Sequence, residues 1–233
     1  MATLAGLLTL DRSAKIIIIS GQSERENAVK AIGAGAYDFL SKPLDVGQLK
    51  LLLQRCVFYI VPNMNPDGAV RGNLRTNASG ANLNREWEAP SMEKSPEVFL
   101  VRQRMLEIGA DLFLDAHGDE SLPYNFVAGT EGNPGYTPRI AALEDAFKAS
   151  WLATCPDFQT GHGYGRCAPG QANLTLATNW VGQNFDCLAY TIEMPFKDNA
   201  DLPDEACGWS GERSKKLGAS VLLPVLAVGD RLR

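Results

Sequence analysis

Hydrophobic and polar residues along the first third of the chain fall into blocks of alternating period. Lys15-Ile16-Ile17-Ile18-Ile19-Ser20 is a short β-branched run closed by Gly21. Such a run predicts a strand buried on both faces, as in a parallel sheet. Ser23, with Glu26 three residues on, forms a capping box for a helix whose apolar side is Ala28, Val29, Ala31 and Ile32 and which ends at Gly33 and Gly35. Ala36 to Leu40 predicts a second strand, and Pro43 opens a second helix with Val46, Leu49, Leu52 and Leu53 on one face. The order strand, helix, strand, helix is that of a parallel α/β sheet.

Phe58-Tyr59-Ile60-Val61 predicts a third strand, with no linker before it at residue 57. Residues 62–96 are rich in Asn, Gly and Pro, and a polar loop of that length inside a compact domain is usually functional or disordered. Pro96 to Ile108 predicts a helix, Asp111 to Ala116 a strand ending at His117-Gly118, and residues 137–153 a helix. Residues 155–173 form a second Gly-rich loop, followed by a helix from Leu174 to Phe185, a strand from Leu188 to Met194 and one closing helix from Ser210 to Val228. The fold expected is α/β: a single three-layer α/β/α domain with a mostly parallel sheet, in which the strands of residues 1–57 continue into those of residues 58–233.

Composition narrows the function classes. Apolar residues make up 45% and charged residues 21%, ordinary values for a chain with a buried core. A net charge of −5 argues against a nucleic-acid binder. Five cysteines, an odd number without a CxxC pair, indicate neither a disulfide framework nor a Cys-rich zinc site. The opening MATLAGLLTL has no basic segment and no cleavage-type site, and no apolar run approaches a membrane span. A soluble, cytoplasmic protein is the expectation, without nucleic-acid or membrane partners.

Ligands of open α/β sheets gather at the C-terminal ends of strands. Three predicted strands end in polar residues: before Asn65-Pro66-Asp67-Gly68, at Asp115-Ala116-His117-Gly118-Asp119, and at Glu193-Met194-Pro195. With Gly72-Asn73-Leu74-Arg75, Asn82-Leu83-Asn84-Arg85 and Glu193-Met194-Pro195-Phe196-Lys197-Asp198, these pieces occur in order between residues 65 and 198. Together they make residues 58–198 resemble the zinc metallocarboxypeptidases, in their cytosolic-carboxypeptidase-like branch.

The resemblance implies the hydrolysis of C-terminal residues from peptides, with a peptide C-terminus as partner and zinc as cofactor. It implies that His117 is the last of three zinc ligands, that Asn84 and Arg85 grip the terminal carboxylate, that Arg75 stabilises the oxyanion and that Glu193 is the general base. Tyr164 is a mobile substrate-covering residue on the same reading. The residue types suit these tasks: a guanidinium fork matches a carboxylate, and a fixed cation favours charge that develops nearby. Each position also has a plain structural reading. Asn-Pro-Asp-Gly is a good turn, Arg75 and Arg85 suit a surface, a His after a strand suits a hydrogen-bonded structural role, and Glu193 suits a helix cap.

The family takes its other two zinc ligands from a His-x-x-Glu element upstream of the Asn-Pro-Asp-Gly turn. The chain has two histidines, His117 and His162, and neither lies upstream of residue 65. In that place residues 14–56 resemble the C-terminal half of a response-regulator receiver domain, with Ser20 at its switch position and Lys42-Pro43 after its last strand. The acidic pocket and phospho-accepting Asp of that family have no counterpart here. The chain therefore has the look of a chimera, natural or constructed. Four readings follow: an impaired hydrolase, a non-catalytic binder of peptide C-termini, a signalling or interaction module, or a chimeric α/β protein that folds without a selected function.

Overall fold

A computed structural model describes residues 17–20, 38–41 and 53–232, the first two stretches as backbone strands. The helix expected after Ser23 lies outside the described residues. Of the helix expected after Pro43, residues 53–55 are described and are helical. The chain divides into two compact units, Met1–Gln54 and Arg55–Arg233.

In the first unit, β1 (Ile17–Ser20) pairs in parallel with β2 (Asp38–Ser41), in the register Ile17 to Asp38 through Ser20 to Ser41. Both strands were expected from their β-branched and aromatic runs.

The second unit holds three further strands: β3 (Leu112–Asp119), β4 (Phe126–Ala128) and β5 (Leu188–Pro195), in the order β3-β5-β4. β3 and β5 are parallel, and β4 runs antiparallel to β5. Among the described residues this unit has six α-helices, α1 (Pro66–Arg71), α2 (Pro96–Ile108), α3 (Pro138–Thr154), α4 (Ala177–Phe185), α5 (Gly211–Ser220) and α6 (Leu222–Gly229), besides a short 3-10 turn at Leu83–Arg85. α1, α2 and α3 begin on proline, whose missing N–H costs nothing in a first turn.

Side-chain alternation along β5 separates two helical layers. Tyr190 points to one face, where its ring meets Phe147 of α3 and its hydroxyl donates to the carbonyl of Glu144. Ala189 points to the other and joins a buried cluster with Val98 of α2, Trp180 and Val181 of α4, Leu83 and Trp87. Helices thus cover both faces of the sheet, the three-layer α/β arrangement expected.

Two expectations are corrected. Phe58–Val61 forms no strand: the segment makes no ladder among the described residues, and Tyr59, Ile60 and Val61 are 61%, 62% and 53% exposed. β-branched and aromatic residues favour a strand only where a partner strand takes their backbone bonds. Among the described strands, β1 and β2 make one ladder and β3, β5 and β4 another. The closing helix is broken at Val221 into α5 and α6, because Pro224 cannot donate back into the preceding turn. β4, only three residues long, carried no signal of its own in the sequence.

Candidate functional site

The site is assembled at the C-terminal ends of β3 and β5. Their parallel register sets His117 beside Glu193 and Asp119 beside Pro195, while Phe126 of β4 pairs with Glu193 from the other side. Asp115, His117 and Asp119 alternate onto one face of β3. Glu193 and Thr191 share the matching face of β5, where the Thr191 hydroxyl lies 2.7 Å from that of Thr178 on α4.

His117 is anchored from behind. Its Nε2 lies 2.8 Å from Asp115 Oδ2, and its Nδ1 faces Glu193 Oε1 at 3.9 Å. Burial pulls the imidazole towards its neutral form, but the Asp115 carboxylate outweighs this and raises the pKa. Glu193 is 4% exposed, and burial raises its pKa against the opposing pull of His117 and Tyr164. Gly118 is required between these residues, because a Cβ there would stand 2.5 Å from Cε1 of Phe196.

Tyr164 enters from the second Gly-rich loop. Its hydroxyl donates to Asp119 Oδ2 at 2.5 Å and lies 3.0 Å from Glu193 Oε1, and its ring stands edge-on to Phe126 at 5.0 Å. Burial, then the hydrogen bond to Asp119, pushes the phenol pKa well up, so Tyr164 stays protonated at neutral pH. Asp119 itself was not singled out by sequence reasoning. Its position two residues beyond His117, on the same face of the strand, is the signal that points to it.

Arg75 is held by the Asn-Pro-Asp-Gly and Gly-Asn-Leu-Arg stretches acting as one cradle. Asn65 Oδ1 accepts from the Gly68 N–H to cap α1, and Asn65 Nδ2 donates to Thr76 O. Asn73 Nδ2 donates to the same carbonyl, and Gly72 ends α1 in the left-handed region at φ 75°. Arg75 extends from this cradle to Glu120 at 2.6 Å. That hydrogen-bonded pair raises the guanidinium pKa, and Arg75 also feels the charge of Glu193.

The clamp residues are placed differently. Asn84 Oδ1 accepts from the N–H of Ala177, the first residue of α4, whose Thr178 touches Thr191. Arg85 is exposed, and its Nη1 donates to the carbonyl of Asn84. Arg75, His117, Asp119, Tyr164 and Glu193 therefore converge, and Asn84 reaches their neighbourhood through α4. Arg85 makes no contact with that group.

A catalytic zinc needs three protein ligands and an open position. The Nδ1 of His117 and the Oε2 of Glu193, a buried oxygen without a hydrogen-bond partner, are suitable donors. Among the described residues, however, no group of three or more His, Cys, Asp or Glu side chains is arranged to hold a metal ion. The donor set described here does not make a three-ligand zinc site.

Comparison with known proteins places the fold in a family. The zinc carboxypeptidase family, Peptidase_M14, matches residues 12–206. An uncharacterized protein of Zymomonas mobilis is 45% identical over 217 residues, covering 93% of this chain and 57% of that one. A metallo-carboxypeptidase from Pseudomonas aeruginosa, solved in complex with (2-guanidinoethylmercapto)succinic acid, is 50% identical with a TM-score of 0.79, over 94% of this chain and 58% of that one. Cytosolic carboxypeptidase 1 of Danio rerio is 33% identical over 87 residues, 35% of this chain and 8% of its own length. The chain spans less than two thirds of each of these relatives. With the matched range running through most of its length, the chain belongs to the zinc carboxypeptidase family.

Proposed function

We propose that this protein is derived from a metallocarboxypeptidase whose reaction is the removal of C-terminal residues from peptides, and that this chain alone is impaired in it. One observation carries the reading. His117 and Glu193 stand side by side on adjacent parallel strands, His117 tethered by Asp115 as a metal-ligating imidazole is, without a third donor among the described residues. A metal would bring the pKa of bound water down to about 7. General-base help from Glu193 by itself contributes only about 10²–10⁴-fold. Zinc content by mass spectrometry, together with release of C-terminal residues from a peptide, tests this. Substoichiometric zinc and negligible release are expected. One zinc per chain with chelator-sensitive release would overturn the reading.

The second reading is a binder of peptide C-termini. It is favoured by the cradle that still presents Arg75, by Asn84 at the start of α4, and by a ligand with two carboxylates in the Pseudomonas aeruginosa relative. Calorimetry with a free-acid peptide and its C-terminal amide separates the two: the amide is expected to bind at least ~10-fold more weakly, the loss of a charge-assisted bond. Equal affinities would sink it.

Residues 14–56 are, on the same proposal, receiver-derived. The reading rests on the parallel β1–β2 pair with Ser20 at the end of β1 and Lys42 just after β2, although the family match begins at residue 12 and so includes this segment. Acetyl phosphate is expected to leave the chain unlabelled, because the acceptor Asp and its acidic pocket are missing. A cytoplasmic location is proposed from the free thiols Cys56, Cys155, Cys167 and Cys207. No helix among the described residues is long and apolar enough to cross a membrane.

A further inference from the structure

The loop that delivers Tyr164 is fastened along its length. Gln159 Nε2 donates to the carbonyls of Asn125 and His162, and its Oε1 accepts from the His162 N–H at 2.7 Å. The His162 ring stacks on Tyr124 with centroids 4.0 Å apart and planes 6° from parallel. Gly163 lies against Phe126, where a Cβ would come within 3.1 Å of Cδ2. The last fastening is the Tyr164 hydroxyl on Asp119.

Asp119 is built to receive it. Its side chain is buried at 6% exposure. Oδ1 accepts the N–H groups of Ser121 and Leu122 at 2.6 and 2.7 Å, which leaves Oδ2 for Tyr164. Its own carbonyl accepts from the Phe196 N–H at 3.1 Å, tying it to the chain just beyond β5. A carboxylate fixed by two backbone N–H groups, with its other oxygen aimed at a phenol beside Glu193, is more than a turn requires. A turn needs only the two backbone bonds.

We infer that Asp119 is a positioning residue: it fixes the Tyr164 hydroxyl beside Glu193 and so holds the loop of residues 159–166 closed over the site. The phenol has one hydrogen and stands within donating distance of both carboxyl groups, nearer Asp119 than Glu193. The Tyr164 oxygen is thereby held against Glu193 Oε1, on the side of the carboxyl away from the unpartnered Oε2. Glu193 feels the Asp119 charge directly, and the hydrogen-bonded link between the two runs through Tyr164. The inference rests on the proposed function solely in naming Glu193 as the group served.

Hydrogen–deuterium exchange on the full chain tests the clasp. Asp119→Ala and Tyr164→Phe are each expected to speed exchange of the hydrogen-bonded amides of Gln159 and His162 by about tenfold, the loss of one charge-assisted hydrogen bond from a locally opening segment. The double variant is expected to match the faster single variant, because both changes break one contact. Asp119→Asn is expected to restore slow exchange: its oxygen can serve Ser121 and Leu122 while its amide donates to the Tyr164 oxygen. Additive effects, an unchanged loop in Asp119→Ala, or an Asp119→Asn variant as loose as Asp119→Ala would each overturn the inference. Exchange rates report the clasp whether or not the chain hydrolyses peptides, so failure here leaves the functional reading standing, and the converse holds too.

Discussion

Glu144 of α3 is 1% exposed, and its carboxylate oxygens are divided between the Thr130 N–H at 3.1 Å and the Tyr136 hydroxyl at 3.0 Å. Gly129 is tailored to it, since a Cβ there would stand 2.5 Å from Oε1. Burial, and then the charge of Glu131, pushes its pKa from 4.5 up to about 7, against Thr130, Lys148 and Tyr136. A raised carboxyl pKa means that the folded state binds the proton more tightly than the unfolded state. The resulting stability is fully present below pH 4.5 and is lost as pH rises through about 7. Glu144→Gln should flatten that dependence, with a total effect of no more than ~3 kcal/mol. Urea unfolding between pH 5 and 8 checks it, and a variant with the wild-type slope would assign the dependence to another group.

At the scale of elements, the cradle under Arg75 makes the sharpest claim. A Cβ at Gly68 would lie 2.3 Å from Asn65 Nδ2 and 2.4 Å from the Thr76 carbonyl. Gly68→Ala should therefore cost about 1–3 kcal/mol as an overpacked site. It should also weaken whatever binding Arg75 supports, because the same contacts set the exit of the chain towards that residue. Chemical denaturation and peptide calorimetry on one variant measure both. The motif was legible as a turn and as a family signature. That the asparagines serve as scaffold for the arginine was not, because side-chain bonds from residue 65 to 76 leave no periodic trace. Helices such as α2 and α3 were legible from their leading prolines and apolar spacing. Phe58–Val61 misled for the opposite reason: its composition favours a strand, and composition does not supply a neighbour.

For the whole molecule, that segment is a liability. Val57, Tyr59, Ile60 and Val61 present 81%, 61%, 62% and 53% of their surface to solvent. Among the described residues the Arg104 guanidinium lies over the Tyr59 ring, 5.8 Å from its centroid. Exposed β-prone runs with unpaired backbone invite association. Ile60→Lys should raise the concentration at which the protein stays monodisperse in light scattering, and shift unfolding by no more than about 0.5 kcal/mol. A marked loss of stability would show that the segment packs where it is now open. The core needs no such help: Phe147, Trp151 and Tyr190 are fully buried in one aromatic stack, and Phe147→Ala should cost about 3–5 kcal/mol in denaturant unfolding.

The His117–Glu193 register sets where this chain can tolerate a change of length. One residue inserted into β3 or deleted from β5 would bring His117 opposite Ile192 or Met194 and turn one of the two side chains to the far face of the sheet. The same insertion between Ser121 and Asn125, where the chain leaves β3 and before it enters β4, would leave that pairing intact. Length variants of this protein should therefore sort into two groups by position: strand variants that lose the site, and loop variants that keep it.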